Sequence, residues 1–262
     1  MLLDAVIIVL RETLEAGVLI SLLLVLLNTR HSALWVLPAL VLGLVGSFVY
    51  MWQLPAVSTW FDYVGQEVVN ASLQYLIFIL LLVLLALRSS PWFAKTELVA
   101  SLAGVMVALA IIREGVEILL FYSGFWHSDE GFIKPLLSGF IGLMIGFSVG
   151  GIVYYLLLPL AEKLGGLLVR LVLTFVAAGM VSQATQLLMQ ADWLPTSLPI
   201  WNSNGLLPEQ SLVGTLAYAV LGYESTPTAL QATIYWGAII LATAAQLATQ
   251  LFFNSVKPTD SQ

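Results

Sequence analysis

Long apolar runs separated by short polar stretches make up most of the chain, and they predict a membrane protein built from α-helices. Seven runs read as transmembrane helices, at about 4–28, 33–53, 67–88, 97–122, 133–158, 167–190 and 229–253. A helix needs about 20 predominantly apolar residues to span a bilayer, and these runs reach that length. Residues that break helices fall at or near several run ends, namely Pro55, Pro91, Pro135, Pro159 and Pro195. The pattern therefore predicts an all-α bundle of seven transmembrane helices in a single transmembrane domain over 1–262.

Charges inside two of these runs follow the same pattern. Arg11-Glu12-Thr13-Leu14-Glu15 lies in the first run, and Arg113-Glu114-Gly115-Val116-Glu117 lies in the fourth. On a helix, the two glutamates of each motif share one face, and the arginine lies one turn before the second glutamate. An Arg or Glu near the centre of a membrane helix costs roughly 2.5–3.5 kcal/mol on insertion. Such residues are therefore expected at a functional site that faces the bundle interior.

The alternative interpretation of the motifs is a pair of interhelical ion pairs that only fix the packing. A clamp of that kind needs one acid per arginine, and each motif has two acids. We therefore expect an ion site made by the glutamates, with the arginines as supporting ion-pair partners. The residues are Glu12, Glu15, Glu114 and Glu117, with Arg11 and Arg113.

The spacing of the two motifs predicts an internal repeat. They lie in the first and fourth predicted helices, which cross the membrane in opposite directions. This is typical of a 3+3 inverted repeat, with the site at the interface of the repeats. The expected units are a first repeat, a second repeat, an outer loop with a short interfacial helix, and a seventh helix with the tail, at 1–95, 96–192, 193–228 and 229–262. The interfacial or re-entrant helix is expected between Ser211 and Gly222, because that segment is apolar but too short to span.

Basic residues outside the motifs are distributed asymmetrically. Lys134 falls on one side of the seven-helix arrangement, and six others fall on the opposite side, namely Arg30, Arg88, Lys95, Lys163, Arg170 and Lys257. Cytoplasmic loops carry the excess of Lys and Arg. We therefore expect the N-terminus outside and the C-terminus in the cytoplasm, in an integral protein of the cytoplasmic membrane. The first run carries Asp4 and lacks a basic flank, so we expect it to stay rather than be removed as a signal peptide.

Composition narrows the chemistry. The chain is 60% hydrophobic and 9% charged, whereas ordinary soluble domains contain about 25% charged residues. No basic patch suggests a nucleic-acid partner, and the lipid bilayer is the expected surrounding. The chain has no cysteine, which excludes thiolate metal sites, disulfides and thiol catalysis. Carboxylates suit hard or borderline cations, and His31 and His127 fall in predicted loops. The motifs therefore predict a cation as the substrate and no permanent cofactor.

Polar residues at the outer ends of two helices are candidates for a vestibule that leads ions to the site. Gln66 and Glu67 begin the third helix, and Gln183, Gln186 and Gln190 line one face of the sixth. Hydrogen-bonded helix packing explains the glutamines equally well.

Small residues recur every four positions in two of the helices. They are Gly142, Gly146 and Gly150 in the fifth helix, and Ala100, Gly104 and Ala108 in the fourth. Such faces let helix backbones approach closely. We expect them to pack inside the bundle, with a dimer interface as the alternative.

Two R-E-x-x-E motifs in the first and fourth of seven predicted helices resemble those of the oxidase-dependent iron transporter family, which includes fungal and bacterial iron permeases. The family's usual form is R-E-G-L-E, so Thr13 replaces a glycine. Asn202 stands where many bacterial members have aspartate. The likeness extends to Gly65-Gln66-Glu67 and to the last outer loop, at Trp201-Asn202-Ser203, Ser211, Gly214, Gly222-Tyr223 and Pro227.

The resemblance implies a transporter rather than an enzyme. It implies an iron permease that imports Fe²⁺ or Fe³⁺ through the four motif glutamates, with iron as the transported substrate and an extracytoplasmic iron-binding or oxidase protein as a partner. One alternative is a transporter of another divalent metal, such as Mn²⁺ or Pb²⁺. Another is a membrane-embedded carboxylate di-iron enzyme, although such sites usually add a histidine at Glu-x-x-His spacing, which neither motif has. A third is a scaffold subunit that does not transport.

Overall fold

The computed structural model describes residues 2–27, 33–88, 97–125 and 133–256, and these residues form helices joined by turns and one long loop. The helices are α1 (Leu2–Leu27), α2 (Val36–Val57), α3 (Gly65–Leu87), α4 (Glu97–Ser123), α5 (Ile133–Lys163), α6 (Leu167–Gln190), α7 (Leu212–Leu221) and α8 (Ala229–Val256). A 3₁₀ turn at Ala33–Trp35 precedes α2. An isolated antiparallel bridge pairs Pro199 with Thr228. Arg30, His31, Pro91, Lys95, His127 and Lys257 lie outside the described residues.

The predicted all-helical architecture is confirmed for the described residues, and each predicted run coincides with a helix. Five segments are long and apolar enough to cross a membrane, namely 33–57, 65–87, 133–163, 167–190 and 229–253. The helices α1 and α4 have 26 and 27 residues and carry the motif charges.

Two predicted helix ends are too early. Pro55 and Pro159 lie inside α2 and α5, which continue to Val57 and Lys163. A proline in a helix removes one backbone hydrogen bond and crowds the preceding turn. In a membrane bundle, neighbouring helices and local adjustments compensate for that loss, so the helix need not end there.

The glycines of α5 let it pack directly on α1. A Cβ atom on Gly146 would lie 2.8 Å from the Thr13 Cβ, and a Cβ atom on Gly150 would lie 3.4 Å from the carbonyl oxygen of Gly17. The Ser21 hydroxyl lies 2.7 Å from the Gly17 carbonyl oxygen and 2.8 Å from that of Gly150. The predicted close packing inside the bundle is therefore confirmed for this face, and it fixes the helix that carries the first motif.

The second motif is fixed in a similar way by α2. The Ser47 hydroxyl lies 2.8 Å from the carbonyl oxygen of Ile111, and a Cβ atom on Gly115 would overlap the Ser47 side chain. The small-residue face of α4 packs less tightly, since a Cβ atom on Gly104 would lie 3.8 Å from the Ala39 Cβ. The glycine in the middle of the second motif is therefore needed for the α2–α4 contact.

The largest hydrophobic cluster lies on one side of the motifs. It includes Val18 and Leu22, which follow the motif in α1, together with Ala103 and Val107, which precede the motif in α4. Residues after one motif thus share a core with residues before the other. The two motif helices therefore run in opposite directions.

The segment between α6 and α8 (residues 191–228), which we call the α7 loop, is held together by its own hydrogen bonds. Ser211 caps α7 by accepting from the Gly214 amide at 3.0 Å, and Gly222 ends α7 with a φ of 64°. The Tyr223 hydroxyl is 2.7 Å from the Ser203 hydroxyl and donates to the Leu207 carbonyl at 3.0 Å. This loop carries α7 to a position against α6 and α1.

Candidate metal site

Three carboxylates from the two motifs lie together. Glu12 of α1 and Glu114 and Glu117 of α4 each offer an oxygen within 4.8 Å of the others. We call these three residues the carboxylate cluster. Two oxygens on opposite sides of a metal ion bound at roughly 2.1 Å are about 4.2 Å apart, so the cluster needs only small adjustments to hold an ion. Glu12 and Glu114 are buried, and the side chain of Glu117 is 33% exposed.

Arg113 joins the two motifs electrostatically. Its Nη1 lies 3.3 Å from Glu15 Oε2 and also contacts Glu114 Oε1, and its Nη2 lies 3.5 Å from Glu117 Oε1. The side chain is 7% exposed, so these pairs are shielded from water and are stronger than surface pairs. A single buried cation therefore balances part of the negative charge of the site.

The fourth motif glutamate has a different environment. Glu15 accepts from Arg113 on one oxygen, and its other oxygen lies 3.4 Å from the Nε of Arg11. Glu15 is therefore held between the two arginines, beside the carboxylate cluster.

Arg11 itself lies away from the cluster. Its side chain is 46% exposed, and its guanidinium carbon lies 4.5 Å from the centre of the Tyr218 ring in α7. The two motifs have the same sequence spacing, but their arginines make different contacts. Sequence symmetry did not reveal this difference, because the partner of Arg11 comes from a helix outside the predicted repeat.

Several buried polar atoms of the site have no hydrogen-bond partner among the described residues. They include Glu12 Oε2 and Glu114 Oε2. A buried acceptor without a donor costs about 1–3 kcal/mol, and more if it is charged. A cation bound by both carboxylates would remove this cost, so the site is chemically suited to a cation with oxygen ligands.

Two cavities reach the carboxylate cluster, and both are lined by Glu12. The first has a volume of about 470 Å³, and we call it the acidic cavity; its polar lining residues are Glu12, Gln66, Glu67, Asn70, Glu117 and Gln190. The second, of about 370 Å³, lies between α1 and the α7 loop, and its lining includes Asp4, Arg11, Glu209 and Tyr218. The acidic cavity has no basic residue among its lining residues, so it is the more favourable path for a cation.

The predicted vestibule residues fall into two groups. Gln66, Glu67 and Gln190 line the acidic cavity. Gln183 instead accepts from the Gln74 amide at 2.6 Å, which is the packing alternative. Gln186 is half-buried on α6, one turn before Gln190.

Sequence reasoning missed two residues near the site. Asn70 lines the acidic cavity and accepts from the Tyr50 hydroxyl at 3.1 Å. It follows Glu67 by three residues in α3 and so shares its face, a signal that could have identified it. Tyr218 had no comparable signal, since it is a single aromatic residue in a short apolar helix.

Two acids of the α7 loop, Glu209 and Glu224, shift each other's pKa. Burial, and then the neighbouring Glu209 carboxylate, raise the pKa of Glu224 to about 7. Burial also acts to raise the pKa of Glu209, but hydrogen bonds from Ser225 and Glu224 outweigh it and hold that pKa below its ordinary value. Below a pH of about 7, protonated Glu224 can therefore donate to the Glu209 carboxylate. Glu209 also accepts from the Ser225 amide. This pair links the residues that precede α7 to those that follow it.

The profile of the iron permease FTR1 family matches residues 2–255. The chain belongs to this family. The resemblance inferred from the motifs is thereby confirmed, and the family is one of permeases, which are transporters and not enzymes. With the five apolar helices, it also identifies an integral membrane protein.

Individual relatives match over about half of the chain. The ferrous iron permease EfeU of Shigella flexneri is 28% identical over 144 residues, which cover 54% of this chain and 60% of that protein. EfeU of Escherichia coli O6:K15:H31 (strain 536 / UPEC) is 28% identical over 144 residues, covering 54% and 51%. EfeU of Yersinia pestis is 28% identical over 134 residues, covering 50% and 46%. The matches thus span about half the length of these relatives. No solved structure matches the chain significantly.

Proposed function

We propose that the protein is an iron permease that imports iron across the cytoplasmic membrane, with Glu12, Glu15, Glu114 and Glu117 as its intramembrane ion site. The observation that supports this most directly is the carboxylate cluster, which draws oxygens from both motifs to within 4.8 Å of one another. Glu15 contributes by holding Arg113 and Arg11. The relatives named ferrous iron permeases favour Fe²⁺ over Fe³⁺ as the form carried.

We propose seven membrane crossings, made by α1 to α6 and α8, with the first six in a 3+3 inverted repeat. The opposite directions of α1 and α4 support the repeat. The start of α3 and the end of α6 line the acidic cavity together, so that cavity opens at one end of the bundle. Arg88, Lys163 and Arg170 lie at the opposite ends of their helices. The positive-inside rule then makes the cavity end the outer one.

The arrangement supports transport by alternating exposure of the site. The acidic cavity gives the cluster access to the outer side, through Glu67, Gln66 and Gln190. On the other side of the site, Leu22, Leu81 and Met106 are fully buried in the largest hydrophobic cluster, which leaves an apolar layer there. A cation does not cross such an apolar layer without a rearrangement. This conformation is therefore outward-facing, and the helices must shift to release the ion inward. An extracytoplasmic iron-binding or oxidase protein would deliver iron at the outer opening.

Iron uptake by purified protein in liposomes tests this proposal. We expect Glu12→Gln, Glu114→Gln and Glu117→Gln each to abolish ⁵⁵Fe²⁺ uptake without changing the amount of inserted protein. Glu162→Gln is the matched control, because Glu162 is exposed and lies near the other end of the bundle. Normal uptake in Glu12→Gln or Glu117→Gln would contradict the site.

The same liposomes separate the alternative substrates. Fe²⁺ kept reduced and chelated Fe³⁺ are supplied in parallel, with Mn²⁺ or Pb²⁺ as competitors. If Mn²⁺ or Pb²⁺ competes more strongly than unlabelled iron does, that metal is the preferred substrate and iron is not. Uptake of Fe²⁺ in the absence of any other protein would show that an oxidase partner is not required for transport.

A further inference from the structure

The different positions of the two motif arginines determine how many carboxylate oxygens remain for the ion. Arg113 contacts Glu114, the next residue in its own motif. An arginine placed equivalently in the first motif would contact Glu12. Arg11 does not do so, and Glu12 Oε2 has no partner among the described residues. Something therefore holds Arg11 outside the carboxylate cluster.

Tyr218 is the residue placed to do this. The Arg11 guanidinium carbon lies 4.5 Å from the centre of its ring, well within the range of a cation–π interaction. Among the described residues, Arg11 forms an ion pair only with Glu15, whose Oε1 lies 3.4 Å from the Arg11 Nε. Tyr218 and Arg11 line the same cavity, and Glu12 lines it too. The Arg11 side chain therefore has room to move towards Glu12 if the ring is removed.

The helix that carries Tyr218 is fixed at both ends. At its start, the Ser211 hydroxyl accepts from the Gly214 amide, and the Thr215 hydroxyl donates to the Glu209 carbonyl at 3.2 Å. At its end, Gly222 packs so closely on Gly179 of α6 that a Cβ atom on Gly179 would lie 2.6 Å from the Gly222 Cα. The ring of Tyr218 thus has a defined position relative to the bundle.

We propose that Tyr218 is a positioning residue for ion binding, because it holds the Arg11 guanidinium over its ring and so keeps Glu12 available for the transported cation. This inference rests on the proposed function, since it assigns Glu12 to the ion. Without the ring, Arg11 pairs with Glu12 and competes with the cation for that carboxylate. The competition lowers ion affinity, but an ion that does bind is transported as before.

The experiment compares Tyr218→Leu with Tyr218→Phe in liposomes. We expect Tyr218→Leu to raise the half-saturating Fe²⁺ concentration by about 2- to 30-fold, the range that a cation–π contact spans, with the maximal rate nearly unchanged. Tyr218→Phe keeps the ring face and should stay within about twofold of the parent. Equal effects of the two variants would overturn the proposal.

Two further variants distinguish positioning from loosening of α7. Tyr235→Leu removes the hydroxyl that donates to the Leu221 carbonyl at 2.5 Å, so it loosens the end of α7 without touching Arg11. Tyr235→Leu should leave the half-saturating Fe²⁺ concentration unchanged. An increase as large as that caused by Tyr218→Leu would contradict a specific role for Tyr218. In an Arg11→Gln background, Tyr218→Leu should not change the half-saturating Fe²⁺ concentration further, because the guanidinium that competes for Glu12 is absent.

Failure of this inference can be told apart from failure of the proposed function. If Glu12→Gln abolishes uptake but Tyr218→Leu binds and carries iron normally, only the role of Tyr218 is lost. If Glu12→Gln transports normally, the site itself is wrong, whatever Tyr218 does. Direct titration of the purified variants with Fe²⁺ gives an affinity that does not depend on transport.

Discussion

At the scale of single residues, the four motif glutamates have unequal surroundings. Glu12, Glu114 and Glu117 form the carboxylate cluster, whereas Glu15 occupies both arginines. Loss of a cluster residue removes an ion ligand, but loss of Glu15 frees Arg11 and leaves Arg113 paired with the cluster alone. The same loss of uptake should therefore arise from two different causes.

This difference can be measured by adding Arg11→Gln to each glutamate variant. Glu15→Gln should lose uptake because Arg113 then pairs with the cluster alone and Arg11 becomes free to join it. Removal of Arg11 should restore part of the uptake. Glu12→Gln should gain nothing from Arg11→Gln, because its ligand is missing. Initial rates of ⁵⁵Fe²⁺ uptake, measured at iron concentrations below half-saturation, report both effects. Equal responses of the two double variants would contradict a separate role for Glu15.

At the scale of helices, the contact between α1 and α5 depends on a side chain that the resemblance marked as unusual. Thr13, which stands where the family usually has glycine, packs against Gly146. A Cβ atom at position 146 would lie 2.8 Å from the Thr13 Cβ. We expect Gly146→Ala to reduce the free energy of unfolding by roughly 1–3 kcal/mol, the usual effect of overpacking.

The test is thermal unfolding in detergent. Thr13→Gly in the Gly146→Ala background should recover most of the lost stability, because it removes the clashing atoms. Gly151→Ala is the control on the same helix, since its Cβ would meet nothing within 4 Å. A midpoint for Gly146→Ala as high as that of Gly151→Ala would show that the helices adjust freely.

The α7 loop should respond to pH through its acid pair. The pKa of Glu224 is raised to about 7 in the folded protein. The stability that protonated Glu224 contributes is therefore fully present below its unfolded pKa, near 4.5, and is lost as pH rises through about 7. Hydrogen exchange of 203–225, corrected for intrinsic rates, should therefore show stronger protection at pH 5.5 than at pH 8. Glu224→Gln keeps a donor without titrating, and it should remove this difference.

At the scale of the whole molecule, the proposed orientation in the membrane can be tested by cysteine labelling. The chain has no cysteine, so single-cysteine variants can be labelled without background. In intact cells, Asp62→Cys, in the α2–α3 turn, should react with a membrane-impermeant maleimide. Lys163→Cys, at the end of α5, should react only after permeabilisation. The reverse labelling pattern would show that the protein lies in the membrane in the opposite orientation.

Much of the fold could be predicted because its signals are local. A run of apolar residues can satisfy its backbone in a bilayer only as a helix, so α1 to α6 and α8 were found to within a few residues. The short helix α7 was found from its apolar segment between Ser211 and Gly222. The motif residues were singled out because charge inside such a run is costly. Helix ends at Pro55 and Pro159 were misjudged, since neighbouring helices decide whether a late proline ends a helix.

The sequence by itself determined which segments are helical, which face of each motif helix carries the acids, and which family the chain resembles. Only the tertiary structure decided that three acids form a cluster while Glu15 lies between the two arginines. It also decided that the Arg11 guanidinium packs on the Tyr218 ring. The physical reason is that spacing along one helix fixes neighbours on that helix alone. Contacts between residues 11 and 218, or 12 and 114, depend on how close separate helices come, and small residues such as Gly146 and Gly115 set those distances.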